Sequence, residues 1–354
     1  MLKTSREKYL ERYIADRLAD GEDIVLATVL GQSGSTPRLA GARMVVHQDG
    51  HIAGTIGGGL VEALVIQKAV TLLERGLAQI ESFSLTGADV DSMDMICGGQ
   101  LDVLLTPVNA DRHQRAIFDR LSAALAGGRS AVLVTALEAA DAEGMAFERC
   151  LVLADGRMEG EVSYPADWVL GLADQSLRQR QTVFKEVEGR RFLAEYWSSG
   201  GTLFIFGAGH VSQQVAALAK MVDFRVVVLD DRPEFADSQR FPEADEVRAL
   251  ESFDGVMDPL GVDENSYVVI VTRGHKHDKT VLAQALATPA GYVGMIGSRR
   301  KRDTIYRALL KEGVGQEDID RVHCPIGLPI GADTPAEIAV SIVAELIQER
   351  SARG

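Results

Sequence analysis

The sequence predicts an α/β protein in two parts. Residues 1–197 form an N-terminal α/β domain with a central connector, and residues 198–354 form a Rossmann-like domain, a doubly wound parallel sheet. Three observations carry this. Residues 201–231 run in the order apolar strand, glycine turn (Gly207-Ala208-Gly209), helix with Val215, Ala216, Leu218 and Ala219 on one face, second strand, and acid (Asp230, Asp231). That order belongs to the nucleotide-binding half of a Rossmann unit. Residues 266–271 (SYVVIV) are wholly apolar, as in a parallel strand covered on both faces. Ser198-Ser199-Gly200-Gly201 has the composition of a linker between the two parts.

In the first part, residues 5–20 read as a helix with Tyr9, Ile14 and Leu18 on its apolar face. Strands follow at 23–30, 42–47 and 51–55, with Gln48-Asp49-Gly50 as a hairpin turn. Gly57-Gly58-Gly59 then opens a helix that runs to about Arg75. Consecutive glycines at a helix start cost backbone entropy. Two readings account for them: successive N–H groups forming an anion-binding concavity, or a tight turn needing positive φ. After a strand at 80–85, the polar stretch 86–95 delivers Cys97-Gly98-Gly99, and a strand at 101–105 is closed by Pro107. A cysteine on such a loop is accessible enough to react, or else it is a small residue tucked beside a backbone bend. Cys150 and Cys324 read as packing residues. A helix at 111–126, strands at 130–137 and 148–153, a helix at 166–180 and two strands within 181–197 complete this part without a chemical constellation.

In the second part, Gly207 permits the turn and Gly209 lets the backbone approach a pyrophosphate at the start of the helix that follows, beside His210. The third glycine of the dinucleotide fingerprint is replaced by Ser212. Asp230 lies where a carboxylate accepts bonds from ribose hydroxyls. The strand at 266–271 leads into Thr272-Arg273-Gly274-His275-Lys276-His277-Asp278, read as a loop before a helix from about Lys279. Ligands in open parallel sheets bind beyond the carboxyl ends of the strands, so Arg273, His275, His277 and Asp278 converge on the same crevice as the glycine turn. A strand at 291–296 precedes Ser298, a natural N-cap, followed by Arg299, Arg300, Lys301 and Arg302. Four cations in the first turn oppose the helix dipole unless an anion or a salt-bridge partner compensates them. Thr334, Pro335 and Glu337 mark the start of the last helix.

Composition excludes some classes. A net charge of -14 argues against a general nucleic-acid binder. No apolar run is long enough to span a membrane, and the charged N-terminal segment is not a signal peptide. Three dispersed cysteines give neither a zinc spacing nor a disulfide framework, which points to a reducing cytoplasm. No metal site is expected: the histidines and Asp278 of 272–278 match no strong ligand spacing.

Together, GSTPR (34–38), GTIGGGLVE (54–62), CGG (97–99), FGAGHV (206–211), DDRPEFA (230–236), TRGHKHD (272–278), IGSRRK (296–301) and PIGLPIGADTPAEIAVSIVAEL (325–346) resemble the XdhC/CoxI family. The resemblance extends from the N-terminal domain to the last helix and is thin over 108–197. It implies an accessory factor, with a C-terminal Rossmann domain, that binds the molybdenum cofactor and assists its sulfuration and insertion into a hydroxylase of the xanthine dehydrogenase type. The cofactor would be molybdopterin or its cytosine dinucleotide form. Its anionic tail would suit Gly207, Gly209, His210, Asp230, Arg273, His275, Ser298 and Arg299, with Gly57–Gly59 as a further contact. Cys97 would meet the cofactor or handle sulfur. The implied partners are the hydroxylase apoenzyme and a cysteine desulfurase, and a homodimer is the expected assembly. The Rossmann half alone also permits an NAD(P)-dependent oxidoreductase, with Asp230 favouring NAD because a carboxylate repels a 2′-phosphate.

Overall fold

A computed structural model describes residues 9–34, 40–84, 99–141 and 144–353. The chain divides into two compact units, Met1–Trp197 and Ser198–Gly354.

The first unit holds two antiparallel sheets. One comprises β1 (Ile24–Gly34), β2 (Arg43–His47), β3 (Ile52–Gly54), β4 (Gln79–Ser84) and β5 (Gly99–Val108), in the order β3-β2-β1-β5-β4. The other comprises β6 (Ala131–Asp141), β7 (Gly144–Leu153), β8 (Met158–Glu159), β9 (Val183–Val187) and β10 (Arg190–Trp197), in the order β8-β7-β6-β10-β9. Side-chain alternation decides how they are covered. Ile24 and Leu26 of β1 join Leu133, Leu151 and Trp197 of the second sheet in one core, with Ile14 and Leu18 of α1 (Leu10–Ala19) and Ile117, Phe118 and Leu121 of α3 (Arg112–Ala126). The intervening Val25, Ala27 and Val29 point the other way, onto Val61, Val65 and Ala69 of α2 (Gly59–Leu73). On the second sheet, Val132, Val134 and Cys150 meet Val169, Leu172 and Ala173 of α4 (Ala166–Gln179). Residues 108–197 therefore build a sheet of their own with its own helix, where the sequence suggested a connector.

A buried polar layer crosses this core. Glu195 accepts bonds from Thr28 (2.7 Å) and Arg43 (3.0 Å), and the Arg43 guanidinium lies over the Trp197 ring. Arg149, fully buried, donates to Thr106, Gln114 and Thr135. Burial pulls the Arg149 guanidinium down to about 10, although the charge of Glu195 works against this. Pro107 does not close its strand but lies within β5, opposite Val25. Pairing of β4 with β5 stops at Leu105, so beyond it the strand has no neighbour on that side to miss a proline N–H.

The second unit is a six-stranded sheet, parallel throughout, in the order β13-β12-β11-β14-β15-β16. Its strands are β11 (Thr202–Phe206), β12 (Arg225–Asp230), β13 (Glu246–Ala249), β14 (Ser266–Ile270), β15 (Tyr292–Met295) and β16 (Val322–His323). All five residues of β11 and of β14 are buried, as central parallel strands require. Phe204, Phe206, Val268 and Ile270 pack on one face against α6 (His275–Leu286), α7 (Arg299–Lys311) and α8 (Gln316–Asp320). Leu203, Ile205, Tyr267 and Val269 pack on the other, against α5 (His210–Met221) and α9 (Pro335–Ala352). This is the doubly wound sheet that the sequence predicts. The helix expected from Lys279 starts four residues earlier, at His275, so His275, His277 and Asp278 lie in the first turn of α6. No helix among the described residues is long and apolar enough to cross a membrane.

Candidate functional site

The strand order places β11 and β14 side by side at the point where the winding reverses, the position at which such sheets bind ligands. Each strand end there feeds a helix start. Gly207 has φ +106°, and a Cβ on it would meet the Val271 carbonyl oxygen at 2.5 Å, so only glycine fits between the two strands. The turn is fastened further by Gly207 N–H to Leu229 O (2.7 Å) and by the buried Ser212 hydroxyl to Gly207 O (2.5 Å). The serine that breaks the three-glycine fingerprint thus holds the turn. Gly209 caps α5, and a Cβ on it would meet nothing within 4 Å. His210, exposed, begins the helix.

Gly274 (φ +90°) caps α6, and exposed His275 stands at its first position. Ser298 caps α7 by accepting the Lys301 N–H at 3.3 Å. Arg299 and Arg300 are exposed, and neither has a carboxylate partner among the described residues. The N-termini of α5, α6 and α7 follow β11, β14 and β15, so three positive helix ends and two uncompensated guanidiniums occupy one edge of one sheet. Chemically, this edge is suited to an anion that approaches backbone closely beside Gly209.

Asp230, at the end of β12, is buried and its carboxylate is already engaged. It accepts Ala208 N–H (2.6 Å), Arg232 N–H (2.9 Å), and Arg232 Nε and Nη2 (2.8 Å each). Burial disfavours its charge, but the Arg232 guanidinium and the two backbone N–H groups prevail and hold the carboxyl below its ordinary range. The carboxylate to which the sequence assigned ribose contact thus already accepts four donors from within the chain. Its neighbour Asp231 lies 3.6 Å from Arg273. Asp278 is fully buried, accepts the Thr272 hydroxyl (2.7 Å) and pairs with Lys301.

Gly207, Gly209, His210, Asp230, Arg273, His275, Ser298 and Arg299 thus all lie at the carboxyl ends of the parallel strands. Gly57, Gly58 and Gly59 lie in the first unit, with φ of 135°, 83° and 69°. Their turn does receive a carboxylate, but the protein supplies it: Glu62 Oε1 accepts Ile56 N–H (3.0 Å), Gly57 N–H (3.2 Å), Gly58 N–H (2.8 Å) and the Thr55 hydroxyl. Burial opposes the Glu62 charge; the Thr55 hydroxyl and the N–H groups of Gly58, Ile56 and Gly57 outweigh it and lower its pKa. The anion concavity and the positive-φ turn, alternatives in the sequence, are one structure filled from within. Cys97 lies outside the described residues, as do residues 35–38 of the GSTPR motif. Among the described residues no group of three His, Cys, Asp or Glu side chains is arranged to hold a metal ion.

Sequence reasoning did not single out Arg232 or Glu62, and it placed Asp278 at the crevice without its pairing to Lys301. Signals for Arg232 and Glu62 were present: a cation two residues after the strand-end acid, and an acid in the first turn of α2.

Comparison with known proteins agrees with this fold. A family model described as the XdhC Rossmann domain matches residues 203–346, and one described as the XdhC and CoxI family matches residues 17–84. A protein of Bacillus subtilis, named as a probable subunit of xanthine dehydrogenase, is 26% identical over 340 residues, covering 94% of this chain and 95% of its own length. The molybdenum cofactor insertion chaperone PaoD of Escherichia coli is 21% identical over 347 residues, 98% of this chain and 90% of PaoD. The Escherichia coli protein YqeB is 26% identical over 326 residues; the chain spans 43% of the length of YqeB. A crystal structure of a xanthine dehydrogenase from Bacillus halodurans, 28% identical, matches 97% of this chain and 96% of its own with a TM-score of 0.77. With a strand-turn-helix half of the expected form and both family models in place along it, the chain belongs to the XdhC and CoxI family.

Proposed function

We propose that this protein is a cytoplasmic accessory factor that holds the molybdenum cofactor and hands it to the apoenzyme of a xanthine dehydrogenase-type hydroxylase. The observation that carries this reading is the open side of Gly209, on the same sheet edge as the N-termini of α5, α6 and α7 and as Arg299 and Arg300, which have no carboxylate partner among the described residues. Such a site fits a ligand that carries phosphate, which is terminal in molybdopterin and an internal pyrophosphate in its cytosine dinucleotide form. Relatives named as a molybdenum cofactor insertion chaperone and as part of a xanthine dehydrogenase support the choice of ligand. The bound cofactor supplies the molybdenum centre that the hydroxylase needs. This chain's own groups do the rest: Gly207 shapes the turn, Gly209 admits the phosphate, His210, Arg273, His275 and Ser298 offer donors, and Arg299 offers charge. Cys97 is assigned to contact with the cofactor or to sulfur passing from a cysteine desulfurase during sulfuration, and the working assembly is a homodimer.

Anaerobic incubation with isolated cofactor, followed by gel filtration and fluorescence of the oxidised pterin, tests the reading. The wild type is expected to retain about one pterin per chain, and Gly209→Val, which fills the open side, to lose it at least tenfold. Equal retention by the two proteins rejects the strand-end site. The competing oxidoreductase reading predicts micromolar NADH binding with turnover; a fluorescence titration that found both would replace this proposal.

A further inference from the structure

Two clusters at the strand ends share one arrangement. After β12, the buried Asp230 takes Arg232 through Nε and Nη2, while the Ala208 N–H fills the remaining side of Oδ2. After β14 and β15, Asp278 takes the Thr272 hydroxyl and pairs with Lys301, whose ammonium also donates to the Ile296 carbonyl at 3.1 Å. In both, the carboxylate is closed off and the cation is not. Side-chain exposure is 2% for Asp230 against 18% for Arg232, and 0% for Asp278 against 25% for Lys301. The Arg232 guanidinium is also fixed over the Phe235 ring, 3.6 Å from its centroid. Each cation keeps a donor without a partner among the described residues: Nη1 of Arg232 and one of the three ammonium hydrogens of Lys301. In the sheet, the glycine turn after β11 lies between the two clusters.

We infer that Arg232 and Lys301 are further ligand-facing groups of this site, that Asp230 and Asp278 are positioning residues which do not touch the ligand, and that the site reads a diphosphate rather than a ribose diol. This rests on the reading that the strand ends hold an anionic ligand. A carboxylate reads a ribose diol only with free acceptor positions, and Asp230 has spent its own on four donors within the chain. What it gains is a guanidinium held in one plane. A lysine anchored by a buried acid likewise has little rotamer freedom left to lose on binding. The outward side of the crevice therefore presents a cation at each flank, Arg232 with Asp231 at 4.0 Å and Lys301, which suits a nucleoside diphosphate tail by its phosphates. A nicotinamide dinucleotide has no selective contact there beyond its own pyrophosphate.

Calorimetric titration of the full chain with inorganic pyrophosphate, cytidine 5′-diphosphate, NAD+ and cytidine tests this. Pyrophosphate and cytidine diphosphate are expected to bind within about tenfold of each other, NAD+ no more tightly than either, and cytidine not at all. Arg232→Met and Lys301→Met should each weaken pyrophosphate roughly tenfold, the loss of one charge-assisted bond. The sign of the effect in Asp230→Asn and Asp278→Asn is decisive. Removing a negative charge beside an anion site strengthens anion binding by Coulomb's law alone. Positioning carboxylates predict the opposite, a weaker pyrophosphate in both variants. If either buried asparagine fails to fold by thermal melting, Thr272→Val removes only one bond to Asp278 and should weaken pyrophosphate roughly two- to fivefold. Absence of pyrophosphate binding to the wild type, unchanged or tighter binding in the folded variants, or NAD+ binding tenfold above pyrophosphate overturns the inference. These titrations contain no cofactor, so they fail or succeed independently of the pterin-retention experiment.

Discussion

A Cβ at position 207 would stand 2.5 Å from the Val271 carbonyl oxygen, on a residue whose φ of +106° already disfavours any side chain. At position 209 the backbone is extended and a Cβ would meet nothing. Gly207→Ala is therefore expected to cost more than about 2 kcal/mol of stability, through strain and separation of β11 from β14. Gly209→Ala should shift stability by less than about 0.5 kcal/mol while weakening retention of a phosphate ligand. Chemical denaturation of both variants checks the first half of this contrast. A destabilised Gly209→Ala would mean that the glycine serves the fold and not a ligand. The GxG spacing was plain in the sequence, but which glycine is squeezed was not, because the obstructing carbonyl belongs to a distant loop. Glu62 shows the same limit. Its place in the motif was legible, while its return onto the N–H groups of Ile56, Gly57 and Gly58 depends on the positive φ of three successive glycines.

Elements with a local chemical signature were legible in the sequence. Thr334, Pro335 and Glu337 mark the start of α9, and the structure has the full reciprocal capping box there. α6 carries no such mark. Its cap is Gly274, which makes no side-chain bond, and His275-Lys276-His277-Asp278 reads as a polar loop until the buried side of Asp278 is known. α9 is also fastened in mid-course to the end of the sheet. Glu345 accepts bonds from Tyr292 and from Gly327 N–H (2.8 Å) and lies 3.5 Å from His323 of β16. The bond to Glu345 raises the His323 pKa above its usual 6.5, with burial opposing. Burial would raise the Glu345 pKa, but bonds from His323, Tyr292 and Gly327 lower it below its usual 4.5. The histidine contribution is complete below 6.5 and fades as pH rises through the raised folded value. The glutamate contribution is present above 4.5 and fades as pH falls through the depressed folded value. The pair therefore stabilises most between these limits. His323→Gln should lower stability by on the order of 1 kcal/mol near pH ~5.5, and by progressively less above pH ~7. Melting curves of both proteins across pH measure this; a deficit that does not vary with pH would assign His323 to packing against Tyr292 instead.

At the scale of the molecule, the two units differ in how their strands find one another. Four strands of the parallel sheet, β11, β12, β14 and β15, are visible in the sequence as apolar runs before turns, and so its centre was legible; β13 (EVRA) and β16 (VH) have no such run, and 232–247 reads as irregular. In the first unit, β1 pairs with β5 and β6 pairs with β10, across long intervening segments, and no local pattern announces these partners. The polar residues of this unit carry no local signal of burial either: Thr28 donates to Glu195 and Arg149 donates to Thr106, Gln114 and Thr135, all within the interior. The parallel sheet, by contrast, has a core on each face and takes every helix that covers it from Ser198–Gly354. A segment of that size with two complete layers buries enough apolar surface to fold alone. We predict that residues 198–354, expressed separately, unfold in one cooperative transition and bind inorganic pyrophosphate within about threefold of the full chain. A fragment with helical circular dichroism but no cooperative melt would show that the sheet depends on the first unit. A fragment that melts cooperatively yet no longer binds pyrophosphate would instead overturn the assignment of the whole anion site to the strand ends of this sheet.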